Sequence, residues 1–243
     1  MNAPEYANLA AIEGGHWYYA GKRELVRGWI QRTRPPQPED VLLDCGAGTG
    51  FFAKQMEACC RVLVLDDHEE ALRLLRQRFR PEQILSLAGD QVLLPDGSLD
   101  YVTALDVLEH VPDDAAVVCG FHRLLKAGGL AVVTVPAGMA LWSDWDESLR
   151  HYRRYSRRQL RALFPAAQWE LVYVNYTNVI VYPAVWLARQ WRRRTGDSSR
   201  PRAEDRQPPP ALNRLLKFLF VALGRCRVPF PLGVSLLLVA RRR

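Results

Sequence analysis

Apolar residues along the chain follow two different rhythms. Val41-Leu42-Leu43, Val62 to Leu65, Ile84 to Ala88, Leu99 to Leu105 and Leu130 to Val135 are short, near-continuous apolar runs. That is the pattern of strands buried on both faces. Elsewhere apolar positions return every three to four residues. Leu25, Val26, Trp29 and Ile30 predict helix within 5–33, broken at Gly14-Gly15, and the stretch from Phe51 to about Ala58 predicts another. Asp113-Asp114 opens a helix running to Leu125, with Gly128-Gly129 as its stop. Further on, Ser156 and Gln159 form a capping box for a helix from Arg157 to Phe164, Trp169 to Tyr176 reads as a sixth strand, Leu212 to Leu223 as an amphipathic helix, and Val234 to Val239 as a last strand. Strands alternating with helices predict an α/β protein with a parallel sheet covered on both faces.

Composition narrows the class. With 243 residues, 49% hydrophobic and 24% charged, the chain has the make-up of a folded globular domain, which excludes fibrous and wholly disordered classes. Five irregularly spaced cysteines give neither a zinc pattern nor a disulfide framework, and the N-terminus has no basic flank followed by an apolar run, so a cytoplasmic location is expected. Leu171 to Ala188 carries no charge, but two Asn, a Thr, three Tyr and Pro183 interrupt it, and strand followed by helix is the better reading than a membrane span. The charge is unevenly divided: residues 1–149 hold 13 Lys/Arg against 22 Asp/Glu, while residues 150–243 hold 20 against 4. A front half suited to a cation and a rear half suited to an anionic surface or substrate fit that division, as does a solvated arginine-rich face.

The chemistry-bearing residues lie at the ends of the predicted strands. Asp44-Cys45-Gly46-Ala47-Gly48-Thr49-Gly50 joins a buried strand to a helix, where glycines let the backbone approach a ligand and the helix N-terminus offers free N–H groups. The dinucleotide spacing would require glycine where Phe51 stands, and a pyrophosphate would meet Asp44, whereas a cationic ligand would not be repelled. Asp66, with Asp67 beside it, ends the next strand in position to accept two ribose hydroxyls; Gly89-Asp90 ends the third, and Asp106 with Glu109-His110 the fourth. Helix capping accounts for Asp113 and Asp114 but poorly for carboxylates at four successive strand ends.

These residues resemble the class I S-adenosylmethionine-dependent methyltransferases. Val41 to Gly50 matches their first motif, Val64-Leu65-Asp66 their ribose-binding strand end and Gly89-Asp90 their adenine turn. Leu105-Asp106-Val107-Leu108-Glu109-His110-Val111-Pro112-Asp113 is similar to the segment after strand four in the ubiquinone/menaquinone and small-molecule branch, and Leu124 to Gly129 to the turn before strand five. The resemblance covers about residues 40–136 and implies a Rossmann-like, mostly parallel sheet of seven strands. It implies S-adenosyl-L-methionine as cofactor, with its methionine part at Gly46, Ala47, Gly48 and Gly50, its ribose at Asp66, its adenine at Asp90 and Gln91, and its sulfonium near Asp106. Cys45 and Gln91 depart from the commoner residues at those places. Glu13-Gly14-Gly15-His16-Trp17-Tyr18-Tyr19 with Lys22-Arg23, and His151 to Ser156, resemble flanking segments of a bacterial subgroup in which the first lies over the cofactor. One domain is expected over 1–243: a helical lid (1–38), a cofactor-binding core (39–177), a helical insert with a flexible basic loop (178–231) and the last strand (232–243).

Methyl transfer from a sulfonium needs chiefly alignment and exclusion of water. For a hydroxyl acceptor, His110 and then His151 are candidate bases; the alternatives are a helix-start histidine that hydrogen-bonds locally for His110 and a partner in an arginine/tyrosine surface network for His151. Asp106, Glu109, His110, Asp113 and Asp114 could supply magnesium ligands, but capping and cofactor contacts account for them, and no metal is expected. His16, Trp17, Tyr19, Trp142 and Tyr152 are candidate lid and pocket residues, with core packing as the alternative. The expected acceptor is a small molecule, a glycan precursor or a lipid-linked intermediate; the insert is either an extra helical layer packed on the sheet edge or a segment that touches the membrane surface and brings such an acceptor in. Arg150, Arg153, Arg154, Arg157, Arg158 and Arg161 among tyrosines leave an RNA-modifying or nucleic-acid-binding protein as a second reading, although no RNA module accompanies them. A noncatalytic platform is a third reading, disfavoured by the intact acidic set.

Overall fold

The computed structural model describes residues 9–88, 91–195 and 207–243. Seven strands form one sheet: β1 (Val41–Cys45), β2 (Arg61–Leu65), β3 (Ile84–Leu85), β4 (Leu99–Leu105), β5 (Leu125–Pro136), β6 (Trp169–Thr177) and β7 (Ser235–Arg242). Their spatial order is β3-β2-β1-β4-β5-β7-β6. Only β7 runs antiparallel to its neighbours in this sheet. The sheet is the Rossmann-like one expected, and the order reverses between β1 and β4, which opens a crevice beyond their carboxyl ends.

The helices are α1 (Trp17–Thr33), α2 (Phe51–Met56), α3 (Glu69–Arg78), α4 (Asp114–Leu124), α5 (Asp144–Ser148), α6 (Arg157–Ala162), α7 (Tyr182–Thr195) and α8 (Pro210–Gly224). α1, α2, α3 and α8 cover one face through Leu25, Trp29, Phe52, Leu75, Phe220 and Val221. α4 and α6 cover the other through Phe121, Leu124, Leu160 and Phe164. Leu42 and Leu43 are fully buried on opposite faces of β1, so a continuous apolar run was required there.

Two expectations from glycine and apolar runs change. β3 ends at Leu85, and Leu87–Ala88 instead pairs antiparallel with Gln91–Val92 in a short hairpin. β5 starts at Leu125, directly after α4: the register jumps from Leu99 opposite Leu125 to Tyr101 opposite Leu130, so Gly128 (φ +79°) and Gly129 form a bulge inside the strand rather than a helix stop. Residues 192–195, expected in a loop, are the last turn of α7, and the rest of that loop up to residue 206 lies outside the described residues.

α8 is locked to the lid and sheet. Trp29 Nε1 and the Tyr173 hydroxyl both donate to the Gly224 carbonyl at 3.0 Å, and the two rings stack at 3.9 Å. At the other end, Trp17 N donates to Asn213 Oδ1 at 2.8 Å while Asn213 Nδ2 donates to the Gly15 carbonyl at 2.9 Å. A side-chain amide thus takes up both the free donor that begins α1 and the turn before it. Among the described residues, no helix is long and apolar enough to cross a membrane.

Candidate functional site

The glycine loop leaves β1 with Gly46, Gly48 and Gly50 all at positive φ. At Gly48 a Cβ would meet nothing within 4 Å, so the backbone there is open to a ligand. At Gly50 a Cβ would lie 2.6 Å from Phe79 and 2.8 Å from Leu75; packing against α3 demands that glycine, and it does not line the cleft. Gly48 N donates to Asp66 Oδ2 at 2.8 Å and His68 N to Asp66 Oδ1 at 3.0 Å, which binds the loop to the end of β2. Asp67 is exposed on the cleft beside it. Asp44 is buried under the loop and accepts from the Thr103 hydroxyl at 2.6 Å; burial, with Asp66 nearby, pushes its carboxyl up to about 7.

Across the crevice, Asp106 ends β4 in the left-handed region at φ +59°. The Lys22 ammonium lies 2.5 Å from Asp106 Oδ2, and the Thr134 hydroxyl donates to Oδ1 at 2.9 Å. Burial alone would raise this carboxyl, but Lys22 and the hydrogen bonds outweigh it and hold the group below its usual range. The lid is pinned again at Glu13, buried beneath the loop: its carboxylate accepts from the Thr49 hydroxyl and its carbonyl from Arg23 Nη2 at 2.7 Å. His16 caps α1, its Nδ1 accepting from Tyr18 N at 3.3 Å.

A third group lies beyond Asp106. Glu109 is 1% exposed, and burial followed by the Asp106 charge pushes its carboxyl well above its usual range; its Oε2 has no hydrogen-bond partner. The His110 and His151 rings meet edge to face at 4.6 Å. Burial and the second histidine push His110 down to about 4, which makes it a weak proton acceptor. His151 is held differently: its Nδ1 lies 3.0 Å from Oδ1 of fully buried Asp146, leaving Nε2 for other partners. Asp146 also accepts from Arg154 Nε at 2.6 Å and pairs with Arg189 of α7 at 3.5 Å. Although burial opposes ionisation, these partners hold its carboxyl at about 2. Glu109, His110 and His151 each offer one ligand atom, all within 4.8 Å of one another, so this is the place among the described residues that could hold a metal ion.

All three groups line one cleft of about 2190 Å³, along with His16, Trp17, Tyr19, Trp142, Trp145 and the inner side of α7. Tyr152 does not join them. Its backbone N is tied to the Glu109 carbonyl at 2.8 Å, the residue is 58% exposed, and it is absent from the cleft, contrary to the pocket role expected of it. Asp90 and the side chain of Gln91 lie outside the described residues. The arginines that suggested nucleic acid are partly engaged inside the protein: Arg153 with Asp114 at 2.9 Å, Arg154 with Asp146 and Arg157 with Asn175 at 3.1 Å. Sequence reasoning missed Asp146 and the buried state of Glu109. The Ser143/Asp146 capping box was a visible signal, but it says nothing of a histidine five residues on.

Residues 43–133 match the family described as methyltransferase domain. A ubiquinone biosynthesis O-methyltransferase of Thiobacillus denitrificans is 36% identical over 107 residues, which are 42% of this chain and 46% of that protein. A probable S-adenosylmethionine-dependent methyltransferase of Mycobacterium tuberculosis is 30% identical over 149 residues, 60% of this chain and 53% of that one. The chain thus spans about half the length of these relatives. Among solved structures, a possible histamine N-methyltransferase from Thermotoga maritima aligns over 99% of this chain and 96% of its own with TM-score 0.63 at 16% identity. The geranyl diphosphate C-methyltransferase of Streptomyces coelicolor aligns over 92% and 79% with TM-score 0.61 at 14% identity. At such identities the structures share the fold.

Proposed function

We propose that this chain, whose residues 43–133 match the methyltransferase domain family, transfers a methyl group from S-adenosylmethionine to a small-molecule or lipid-linked acceptor held in the same cleft. The observation that carries this reading is the continuity of the cleft. One cavity of about 2190 Å³ runs from the glycine loop past Asp106 to His151 and α7, roughly twice the upper end of the ~300–1,000 Å³ usual for one ligand. It has room for two.

The residues present fit this cofactor. Gly48 offers open backbone, Asp66 has two oxygens near the loop for ribose hydroxyls, and Asp67, joined by Asp44 once it ionises, puts negative charge where a cation is to be held, the charge of Asp106 being met by Lys22. The bound cofactor would supply the methyl group on a sulfonium. The protein's own part is to align the acceptor, exclude water and receive a proton. α1, through Lys22, and the segment before it, through Glu13, close the cleft over the loop, and α7 walls its far end. For a hydroxyl acceptor, His151 Nε2 takes the proton while Asp146 keeps Nδ1 occupied and stabilises the charged ring. An O-methyltransferase among the relatives supports a hydroxyl acceptor.

The test is a labelled-methyl assay on a fractionated extract. Label should enter one lipid or small-molecule fraction, and the His151→Ala enzyme should transfer about 100-fold more slowly. Label found only in RNA would replace this reading with the nucleic-acid one.

A further inference from the structure

We infer that α7 and α8 together form a docking face for an anionic lipid surface. α8 is held firmly on one side, where Asn213, Phe220, Val221 and Gly224 are buried against the lid and sheet. Its other side is nevertheless apolar and open: Ala211, Leu215, Phe218 and Ala222 recur at helical spacing, with Phe218 66% exposed. α7 repeats the arrangement. Pro183, Leu187 and Trp191 form an exposed stripe, with Leu187 at 60% and Trp191 at 65%. The two helices meet at the entry to α7, where Val179, exposed Ile180 and Val181 share one small groove with Leu216, Leu219 and Leu223 of α8.

Charge selects the occupant. Neither helix contains an aspartate or glutamate; Arg194 closes α7 and Arg214 edges α8, while Arg192 and Arg193 face the cleft and Lys217 pairs with Glu24 of α1 at 3.0 Å. An apolar face bordered by arginine and tryptophan, its neighbouring carboxylate Glu24 already paired with Lys217 and Arg225, suits the boundary between anionic headgroups and acyl chains. The opposite side of α7, through Val185, Ala188 and Arg192, lines the cleft. A lipid-linked acceptor could therefore pass from the surface into the cleft along one helix; that consequence rests on the proposed transfer, whereas the docking does not.

Flotation separates the possibilities, using phosphatidylcholine vesicles with and without phosphatidylglycerol. The intact protein should float with the anionic vesicles, bind neutral ones about tenfold less, and be released by salt. Leu187→Ser/Trp191→Ser/Phe218→Ser should stay in the soluble fraction while keeping its circular dichroism, melting temperature and cofactor affinity, all three side chains being exposed. The inference is overturned if the intact protein remains soluble on anionic vesicles at low salt, if the triple variant floats equally well, or if neutral vesicles bind as tightly. It is also overturned if the intact protein is a dimer that the triple variant splits without any flotation, since the face would then be a contact between copies.

Discussion

The Lys22 ammonium lies 2.5 Å from the Asp106 carboxylate, fastening the N-terminal helix to the end of β4 across the mouth of the cleft. The lid is therefore held by charge as well as by packing. Lys22→Met strips the charge partner from partly buried Asp106, leaving it the Thr134 hydroxyl, and should destabilise the fold by about 1 to 3 kcal/mol, less than the loss of one member from a fully buried pair. Adding Asp106→Asn should recover most of that loss in urea unfolding. Equal stability for wild type and Lys22→Met would show that the pair contributes nothing.

Asp44 connects pH to both stability and ligand binding. Its folded pKa of about 7 lies above the ~3.9 of an unfolded aspartate, so the folded protein holds an extra proton between those values. This group's contribution to stability is present at low pH and is lost as pH rises towards 7. A cationic ligand favours the ionised form, so cofactor affinity should rise with pH up to about 7 and then level. Titrations from pH 5.5 to 8.5 test this, and Asp44→Asn should flatten the curve.

Asp66→Ala should weaken cofactor binding by about 1.5 to 3 kcal/mol, the worth of two charge-assisted hydrogen bonds to ribose hydroxyls. The loop should loosen as well, because Gly48 N loses its acceptor. An unchanged dissociation constant would remove Asp66 from the ribose site.

The two histidines should behave differently. His151→Ala should lower turnover about 100-fold with cofactor affinity preserved, whereas His110→Ala should have a smaller effect because its ring accepts a proton only near pH 4. Asp146→Asn should shift the acidic limb of the turnover profile, which a purely structural aspartate would not move. Equal losses for both histidines would contradict the assignment of the base.

The strand-end carboxylates were legible in sequence because each follows an apolar run whose period is unmistakable, as Asp44 follows Val41-Leu42-Leu43 and Asp106 follows Leu99 to Leu105. The pairing of Lys22 with Asp106, 84 residues apart, was not, since no local pattern encodes a contact made by folding the lid over the sheet. The same is true of His110 and His151, brought together by the return of the chain after β5. Tyr152 was misplaced because an aromatic residue beside charges reads alike whether its ring turns inward or outward. Gly128-Gly129 misled for a related reason: a glycine pair signals a break in regular backbone, and a strand bulge meets that need as well as a helix end.

Calorimetric titration of the purified chain with S-adenosylmethionine tests the proposed activity at its root. One site per chain should be seen, with a dissociation constant between about 1 μM and 1 mM and tighter binding at pH 8 than at pH 6. No binding heat at millimolar cofactor, at either pH, would contradict it.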